Sequence, residues 1–190
     1  MNKKPLKTIL ILIALMLVLI GSQRFFEDNF KDVALIDNNV GELKEYKVGD
    51  SKYTFALPEN WSVKELGNAS GYMLYNGDFQ DENGNIIGHI QIINTDEDVK
   101  TLAQTDINNL VIDHDNQKID NYKDSKFNGI RVDYKTKVKN GYRFQNSVYY
   151  VKLDDTKVAK YTFVVKEDNY KDNQRVIFDT IVSGLNSGGN

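Results

Sequence analysis

The sequence predicts an α+β protein in which one twisted antiparallel β-sheet is flanked by helices and preceded by a single N-terminal transmembrane helix. Three observations predict this class. An unbroken apolar run follows a lysine cluster at the N-terminus. Most of the remaining chain alternates apolar and polar residues between tight turns, which is typical of antiparallel strands. Two segments, one near residue 100 and one at the C-terminus, instead repeat apolar residues at helical spacing.

The N-terminal segment has the composition of a membrane anchor. Met1–Lys7 contains three lysines and no acid, and every residue of Ile9–Ile20 is apolar. The Leu, Ile and Val residues of this run together contribute roughly −3 to −6 kcal/mol to membrane insertion. We therefore predict a cytoplasmic basic stub at residues 1–7, a transmembrane helix or signal anchor at residues 8–23 and a juxtamembrane linker at residues 24–41.

A cleaved signal peptide is the alternative interpretation of the same segment, since its basic start and apolar length also fit that class. Gly21 and Ser22 are small, but Leu19 and Ile20 occupy the upstream positions where a cleavage site prefers small residues. The uncleaved anchor is therefore favoured. Under both interpretations the lysines stay inside, so the rest of the chain is extracytoplasmic, tethered as a single-pass protein of the cell membrane or secreted.

The extracytoplasmic domain is predicted at residues 42–186, with a disordered tail at residues 187–190. A hairpin is expected around the Gly49–Asp50 turn, and Pro58 ends its second strand because proline cannot donate to a sheet ladder. Extended segments follow at Trp61–Val63 and Tyr72–Tyr75. The Asn83–Gly84 turn then introduces a strand over Ile86–Ile93.

The second half of the domain begins with a helix predicted over Asp98–Val111, whose N-terminus carries the capping and acidic residues that favour helix initiation. Four strands follow, at Lys118–Tyr122, Gly129–Val138, Tyr142–Leu153 and Lys157–Val165. Tight turns are expected at Asn128–Gly129, Asn140–Gly141 and Asp154–Asp155. An apolar stripe from Tyr170 to Leu185 predicts the closing helix, with Gly184 near its end.

Residues Tyr53–Trp61 form a strand of alternating aromatics that leads into Pro58 and then Trp61. Near the end of the chain, the strand Lys160–Val165 is followed by a helix that ends Ile181–Leu185. Both stretches resemble the PsbP-like superfamily, which includes the PsbP, Mog-type and DcrB-like proteins. The resemblance implies an α/β/α sandwich over about residues 43–186. It implies no shared active site, so no functional residue is carried over.

Composition excludes several classes of site and partner. The chain has no cysteine, so disulfides, thiolate zinc sites, cysteine nucleophiles and lipidation at an N-terminal cysteine are excluded. Without the three N-terminal lysines, 21 basic and 27 acidic residues remain, a net charge of −6. An acidic exterior is a poor match for nucleic acid or for anionic lipid.

The two histidines are the candidate residues for catalysis or metal binding. His89 lies in a predicted strand, on the face opposite Ile90. His114 lies between Asp113 and Asp115, and these neighbours point apart, so they cannot easily converge on a metal ion. We interpret His114 as part of a solvated loop and His89 as an ordinary strand residue, and we predict neither a catalytic nor a metal site.

Other candidate sites are better explained by structure. The acidic stretch Asp78–Asn85 does not place oxygen ligands at the calcium-loop positions and is expected to be a hairpin loop. The chain has no nucleophile elbow, phosphate loop or dinucleotide fingerprint. Alternating aromatics of the late strands are expected to pack in the sheet, with a binding groove as the lesser interpretation; they are Tyr142, Phe144, Tyr149, Tyr150, Tyr161 and Phe163.

These observations predict a membrane-tethered binding or accessory module that is not an enzyme and carries no cofactor. Its expected partners are the membrane, through the N-terminal helix, and a protein, an envelope component or a small ligand, but no nucleic acid. One alternative is a hydrolase that uses His89 or His114 with nearby acids. Another is a permanent structural subunit of a membrane complex.

Overall fold

A computed structural model of the chain describes Ile9, residues 11–18, Leu35 and residues 40–49, 51–67, 71–139 and 141–188. The chain divides into two compact units, Met1–Val40 and Gly41–Asn190. In the first unit, Ile9 and residues 11–18 are helical and expose their side chains. No helix among the described residues reaches the length and hydropathy of a transmembrane span. Nine of the 16 residues of the predicted anchor, residues 8–23, are described, whereas most of the predicted linker, residues 24–41, lies outside the described residues.

The second unit contains nine strands within its described residues, and the α+β class predicted from sequence is confirmed. The strands are β1 (Leu43–Lys47), β2 (Thr54–Pro58), β3 (Ser62–Glu65), β4 (Met73–Gln80), β5 (Ile86–Asn94), β6 (His114–Lys123), β7 (Asn128–Lys137), β8 (Arg143–Lys152) and β9 (Lys157–Lys166). Every recorded pair of neighbouring strands is antiparallel, as short turns between consecutive strands require.

The strands form two sheets instead of the single sheet that was expected. β1 and β2 form a separate two-stranded sheet, with one bridge from Thr54 of β2 to Asn186, while the other seven lie in the order β3-β4-β5-β9-β8-β7-β6. The β1–β2 hairpin packs its aromatic side chains onto the larger sheet, with the rings of Phe55 and Tyr75 5.3 Å apart. A hairpin placed across a sheet face covers core residues, which an extra edge strand would leave exposed.

Two helices cover opposite faces of the seven-stranded sheet. Helix α1 (Val99–Asn108) packs Ala103 and Ile107 against Val132, Val148 and Tyr150, which define the α1 face. Helix α2 (Gln174–Ser183) stacks Phe178 on Phe163 with ring centroids 4.3 Å apart, on what we call the α2 face. Since side chains alternate along a strand, consecutive residues of β8 and β9 serve the two helices in turn.

The predicted α1 helix was too long, because Asp98–Val111 was expected and the helix ends at Asn108. Asn109 forms the C-cap, and Val111 is fully exposed beyond it. The reason is local, since Asn108 and Asn109 favour turns over helix. Asp98 is confirmed as the N-cap, accepting hydrogen bonds from the backbone N–H groups of Lys100 and Thr101 at 2.9 and 3.1 Å.

The turn predicted at Asn128–Gly129 was also wrong, because both residues lie inside β7. The side chain of Asp124 makes the turn instead, accepting from the backbone N–H groups of Lys126 and Phe127 at 2.6 and 2.7 Å. A Cβ atom at position 129 would lie 2.1 Å from the carbonyl oxygen of Tyr150. Glycine is therefore required for close strand approach and not for a turn.

Candidate functional site

The α1 face of the large sheet is covered over β7 and β8 but exposed over β3, β4 and β5. Together with β9, these strands line a concave site of about 530 Å³, which we call the cleft. The polar side chains of the cleft come from every second position along these strands. The residues between them are buried on the α2 face. The side chains of the α1 face that line the cleft are Ser62, Lys64, Asp78, Gln80, Ile87, His89, Thr162 and Val164.

Strand register places four of these side chains in one transverse row. Lys64 lies opposite Asp78, Asp78 opposite His89, and His89 opposite Thr162. Directly opposed residues of antiparallel strands have Cβ atoms about 4.5–5.5 Å apart, within reach of one another's polar groups. The row therefore brings an ammonium, a carboxylate, an imidazole and a hydroxyl onto one exposed line across the sheet.

The centre of the row is a hydrogen bond between Nδ1 of His89 and Oδ1 of Asp78, 2.6 Å long. The side chain of Asp78 is 56% exposed and that of His89 is 29% exposed, so both remain accessible. A carboxylate only accepts hydrogen bonds, so Nδ1 of His89 must carry the hydrogen. In the neutral imidazole, Nε2 then has a free lone pair that can accept a hydrogen bond.

The rest of the cleft supplies both polar and apolar contacts. Lys64 is exposed and forms no ion pair with any residue that the structure describes. The second transverse row runs Ser62, Gln80, Ile87 and Val164, so a polar edge gives way to an apolar floor. Ile87 is 45% exposed, which makes apolar surface available beside the polar row. Such a mixture suits a ligand that has both hydrogen-bonding groups and an apolar part.

Gly88 lets β5 pack closely against a layer of aromatic rings. This layer lies on the α2 face, behind the cleft. A Cβ atom at position 88 would lie 2.1 Å from the ring of Phe79 and 2.7 Å from the carbonyl oxygen of Thr162. Phe79 in turn contacts Trp61 and Phe163, with ring centroids 5.9 and 5.4 Å apart. The backbone at Gly88, next to His89, is therefore packed against buried aromatic rings.

A polar cluster fastens α1 at the edge of the cleft. Oδ2 of Asp106 accepts from the hydroxyl of Tyr150 at 2.9 Å and from Nζ of Lys160 at 2.5 Å. Lys160 lies two positions before Thr162 in β9 and opposite Gln91 of β5. These contacts join the helix to the central strands.

His114 lies apart from this site. It is the first residue of β6, so the solvated loop expected for it was wrong, although its side chain is exposed. Its Nδ1 lies 3.1 Å from the carbonyl oxygen of Ile112, and the neighbouring Asp115 is held by Arg143 at 2.9 Å. Among the residues that the structure describes, no three His, Cys, Asp or Glu side chains are arranged to hold a metal ion.

The remaining predicted features are the acidic hairpin loop and the aromatic residues of the late strands. The loop after Asp78 is confirmed as a hairpin, in which Oδ1 of Asp81 accepts from the backbone N–H of Ile86 at 2.9 Å. Tyr149, Tyr161 and Phe163 are fully buried on the α2 face, so the packing interpretation of these aromatics is confirmed. Tyr150 is buried beneath α1, whereas Tyr142 is 53% exposed.

The comparisons with known proteins bear on the fold. No protein-family model matches the chain, and no curated protein matches it. The solution structure of cyanobacterial PsbP (CyanoP) from Synechocystis is similar over 77% of this chain and 93% of its own, with a TM-score of 0.54 and 14% identity. LpqN, described as involved in cell envelope biogenesis of Mycobacterium tuberculosis, is similar over 76% and 89%, with a TM-score of 0.46 and 13% identity. The match to the cyanobacterial PsbP structure shows that the chain has a PsbP-like fold, as the resemblance of its sequence predicted.

Proposed function

We propose that this protein is a membrane-tethered extracytoplasmic binding module whose ligand or protein partner occupies the cleft. The observation that carries the proposal is the exposed row of Lys64, Asp78, His89 and Thr162 on the part of the α1 face that α1 leaves open. An antiparallel sheet can leave one face solvated, but this part of the face is concave and combines polar groups with apolar surface, as ligand sites do. We propose no catalytic role, cofactor or nucleic-acid partner for it.

The N-terminal sequence supports the proposed location of the module. Three lysines precede the apolar run, and the described part of that run, Ile9 and residues 11–18, is helical with exposed apolar side chains. A single-pass helix there would keep residues 1–7 in the cytoplasm and hold the domain outside, whereas cleavage would release it. The domain would then be an α/β/α sandwich held close to the membrane surface.

The cleft favours a ligand that combines hydrogen-bonding groups with an apolar part. Nε2 of His89 and the carboxylate of Asp78 accept hydrogen bonds, while Lys64 and the hydroxyls of Ser62 and Thr162 donate them. Ile87 provides the apolar surface. A side chain of a protein partner, a fragment of an envelope polymer and a small polar metabolite all have this chemistry, and the experiment below distinguishes them.

The test is affinity capture with the full chain from detergent-solubilised membranes, followed by identification of proteins and small molecules that elute. Two cleft variants, His89→Gln and Asp78→Asn, are compared with the wild type, and His114→Gln serves as a matched control because it changes an exposed histidine outside the cleft. We expect a stoichiometric partner or ligand that the control retains and the cleft variants lose. A partner retained equally by all four proteins, or none in repeated captures, would overturn the proposal.

A hydrolase is the second candidate, because the transverse row has the order acid, imidazole, hydroxyl. Asp78 orients His89 through the 2.6 Å hydrogen bond, and Thr162 lies on the other side of the imidazole. This order is that of a nucleophilic triad. Turnover of activated esters by the wild type, abolished in both His89→Ala and Thr162→Ala but kept in His114→Ala, would support it. Equal rates in all four proteins would exclude this role for the row.

A permanent structural role is distinguished by the same capture experiment. A subunit of a stable membrane complex would remain bound to its partner through purification at high dilution, whereas a reversible binding module would lose its ligand. If the protein is a binding module, the amount of partner recovered should therefore fall as washing continues.

A further inference from the structure

An exposed patch at one end of the large sheet is apolar at its tip and flanked by lysines. Val111 is fully exposed, Tyr142 is 53% exposed, and Ile112 and Val138 are half-buried beside them. Val111, Ile112 and Val138 border a concavity of about 660 Å³ together with Lys137, the last residue of β7, and Lys139. We call this surface the tip patch; it consists of Val111, Ile112, Lys137, Val138, Lys139 and Tyr142.

The patch is one continuous surface built from two connections. The backbone N–H of Val138 donates to the carbonyl oxygen of Tyr142 at 3.0 Å, which closes the turn between β7 and β8. The backbone N–H of Lys137 donates to the carbonyl oxygen of Asp113 at 3.0 Å, which ties this turn to the segment after α1. Val111 is therefore held beside the lysines by backbone hydrogen bonds.

The patch differs in charge from the acidic domain that carries it. Lys137 and Lys139 form no ion pair with any residue in the described part of the chain. The acids nearby are largely neutralised, since Glu167 accepts from both Lys135 and Arg143, at 2.6 and 2.8 Å. Asp113 remains in the concavity as the one acid among its lining residues.

Strand directions place the patch at the sheet end where the polypeptide enters the domain. β7 ends and β8 begins at this end, and so does β3, which starts at Ser62. The backbone N–H of Glu59 donates to the carbonyl oxygen of Glu42 at 2.8 Å, just before the turn at Trp61 that leads into β3. The start of the domain and the tip patch therefore lie toward the same end of the sheet.

We infer that the tip patch contacts the surface of an anionic bilayer when the domain is tethered, an inference that rests on the proposed N-terminal anchor. Exposed aliphatic residues at the level of the lipid headgroups, an amphipathic tyrosine and unpaired lysines are the groups that stabilise interfacial binding. Nζ of Lys166 lies 4.7 Å above the ring of Tyr142 and also pairs with Asp168 at 3.4 Å.

The experiment uses the absence of cysteine, which allows one fluorophore to be attached at one introduced thiol. Full-length Val111→Cys, with a polarity-sensitive label, is reconstituted in nanodiscs of phosphatidylcholine with phosphatidylglycerol and in discs of phosphatidylcholine alone. Asp155→Cys is the matched control, because the Asp155 side chain is fully exposed in the turn between β8 and β9 at the other end of the sheet. Quenching by acrylamide measures the exposure of each label and is insensitive to lipid charge because acrylamide is neutral.

We expect the label at position 111, but not the one at position 155, to be protected from acrylamide in the anionic discs. Replacing Lys137 and Lys139 with Gln should lower the ratio of docked to undocked domain by about fivefold for each lysine removed. Equal quenching at both positions in protein that floats with the discs would overturn the bilayer contact alone. Protein that fails to float overturns the anchor and the contact with it. Protection that increases with the number of chains per disc would assign the patch to a second copy and would likewise overturn the inference.

Discussion

The hydroxyl of Tyr53 donates a hydrogen bond to the carboxylate of Asp154, 101 positions later in the sequence. Tyr53 leads into β2, and Asp154 lies in the turn between β8 and β9, so the contact joins the small hairpin to the large sheet. Burial, together with the neighbouring Asp154, raises the pKa of Tyr53 to about 12. Burial alone would raise the pKa of Asp154, but hydrogen bonds from Tyr53, Thr156 and Lys157 outweigh it and hold the pKa well below its usual range.

Removing the Asp154 carboxylate should destabilise the domain. Asp154→Ala leaves the buried hydroxyl of Tyr53 without its acceptor, which costs about 1–3 kcal/mol in the free energy of unfolding. Tyr53→Phe is the matched control and should cost less, since it removes the donor and leaves no unsatisfied buried group. Because the pKa of Asp154 is lowered on folding, the stabilisation is present above the unfolded-state pKa and is lost as the pH falls toward the folded-state value. Urea unfolding at several pH values measures both effects, and a pH-independent difference would contradict this account.

Gly88→Ala should destabilise the strand that carries His89. The added methyl would overlap the ring of Phe79 and the carbonyl oxygen of Thr162, and such overpacking costs about 1–3 kcal/mol. Gly71→Ala is the control, because position 71 has open space around it. Thermal unfolding should show a clear loss for the first variant and almost none for the second. Equal melting temperatures would mean that the aromatic layer can shift freely beneath the cleft.

The tautomer of His89 gives a direct check of the cleft geometry. We expect the neutral imidazole to carry its hydrogen on Nδ1, because Asp78 accepts from that atom at 2.6 Å. Nitrogen-15 NMR of the imidazole rings reports which nitrogen is protonated, and the preference should disappear in Asp78→Ala. His114, whose Nδ1 lies beside a backbone carbonyl, serves as the internal reference. A hydrogen on Nε2 of His89 would show that Asp78 does not orient the ring.

Asp179→Asn should make the domain slightly more stable at neutral pH. Oδ1 of Asp179 accepts from the buried hydroxyl of Tyr149 at 2.8 Å, and asparagine retains an acceptor there. Burial raises the pKa of Asp179, against the hydrogen bond from Tyr149 and the charge of Arg175. The destabilisation caused by an acid with a raised folded-state pKa grows as the pH rises from the unfolded-state pKa to the folded-state pKa, and it is fully present above the folded-state value. The gain should be small, since the Asp179 side chain is 42% exposed, and it should shrink in acid. A loss of stability at neutral pH would contradict this sign.

The sequence predicted most of the elements because their signals are local. Alternation around Phe55 and Ile90 identified strands, and the side chain of Asp98 caps α1 as its sequence position indicated. The errors arose where one particular side chain formed a turn or ended a helix at a position that the general pattern did not indicate. Asp124 supplied the turn that Asn128–Gly129 was expected to make, and two asparagines ended α1 early.

The candidate site was beyond sequence reasoning because it depends on which strands pair. His89 was placed on the correct face of its strand, opposite Ile90, but it was interpreted as an ordinary strand residue. Its neighbours Asp78 and Thr162 lie 11 positions before it and 73 after it. Only the pairing of β5 with both β4 and β9 brings them together. A signal was present, since each of the three is a polar residue at an exposed-face position, but many polar strand residues share that pattern.

The pairing of β5 with β9 also constrains how this polypeptide is completed during synthesis. Until residues 157–166 leave the ribosome, Ile86–Asn94 has an open hydrogen-bonding side and the earlier hairpins have no central partner. Native assembly of the large sheet must therefore await the synthesis of β9, and closing contacts so distant in sequence is slow. A product truncated before Lys157 would present an unprotected apolar strand, the kind of surface that chaperones hold and proteases clear.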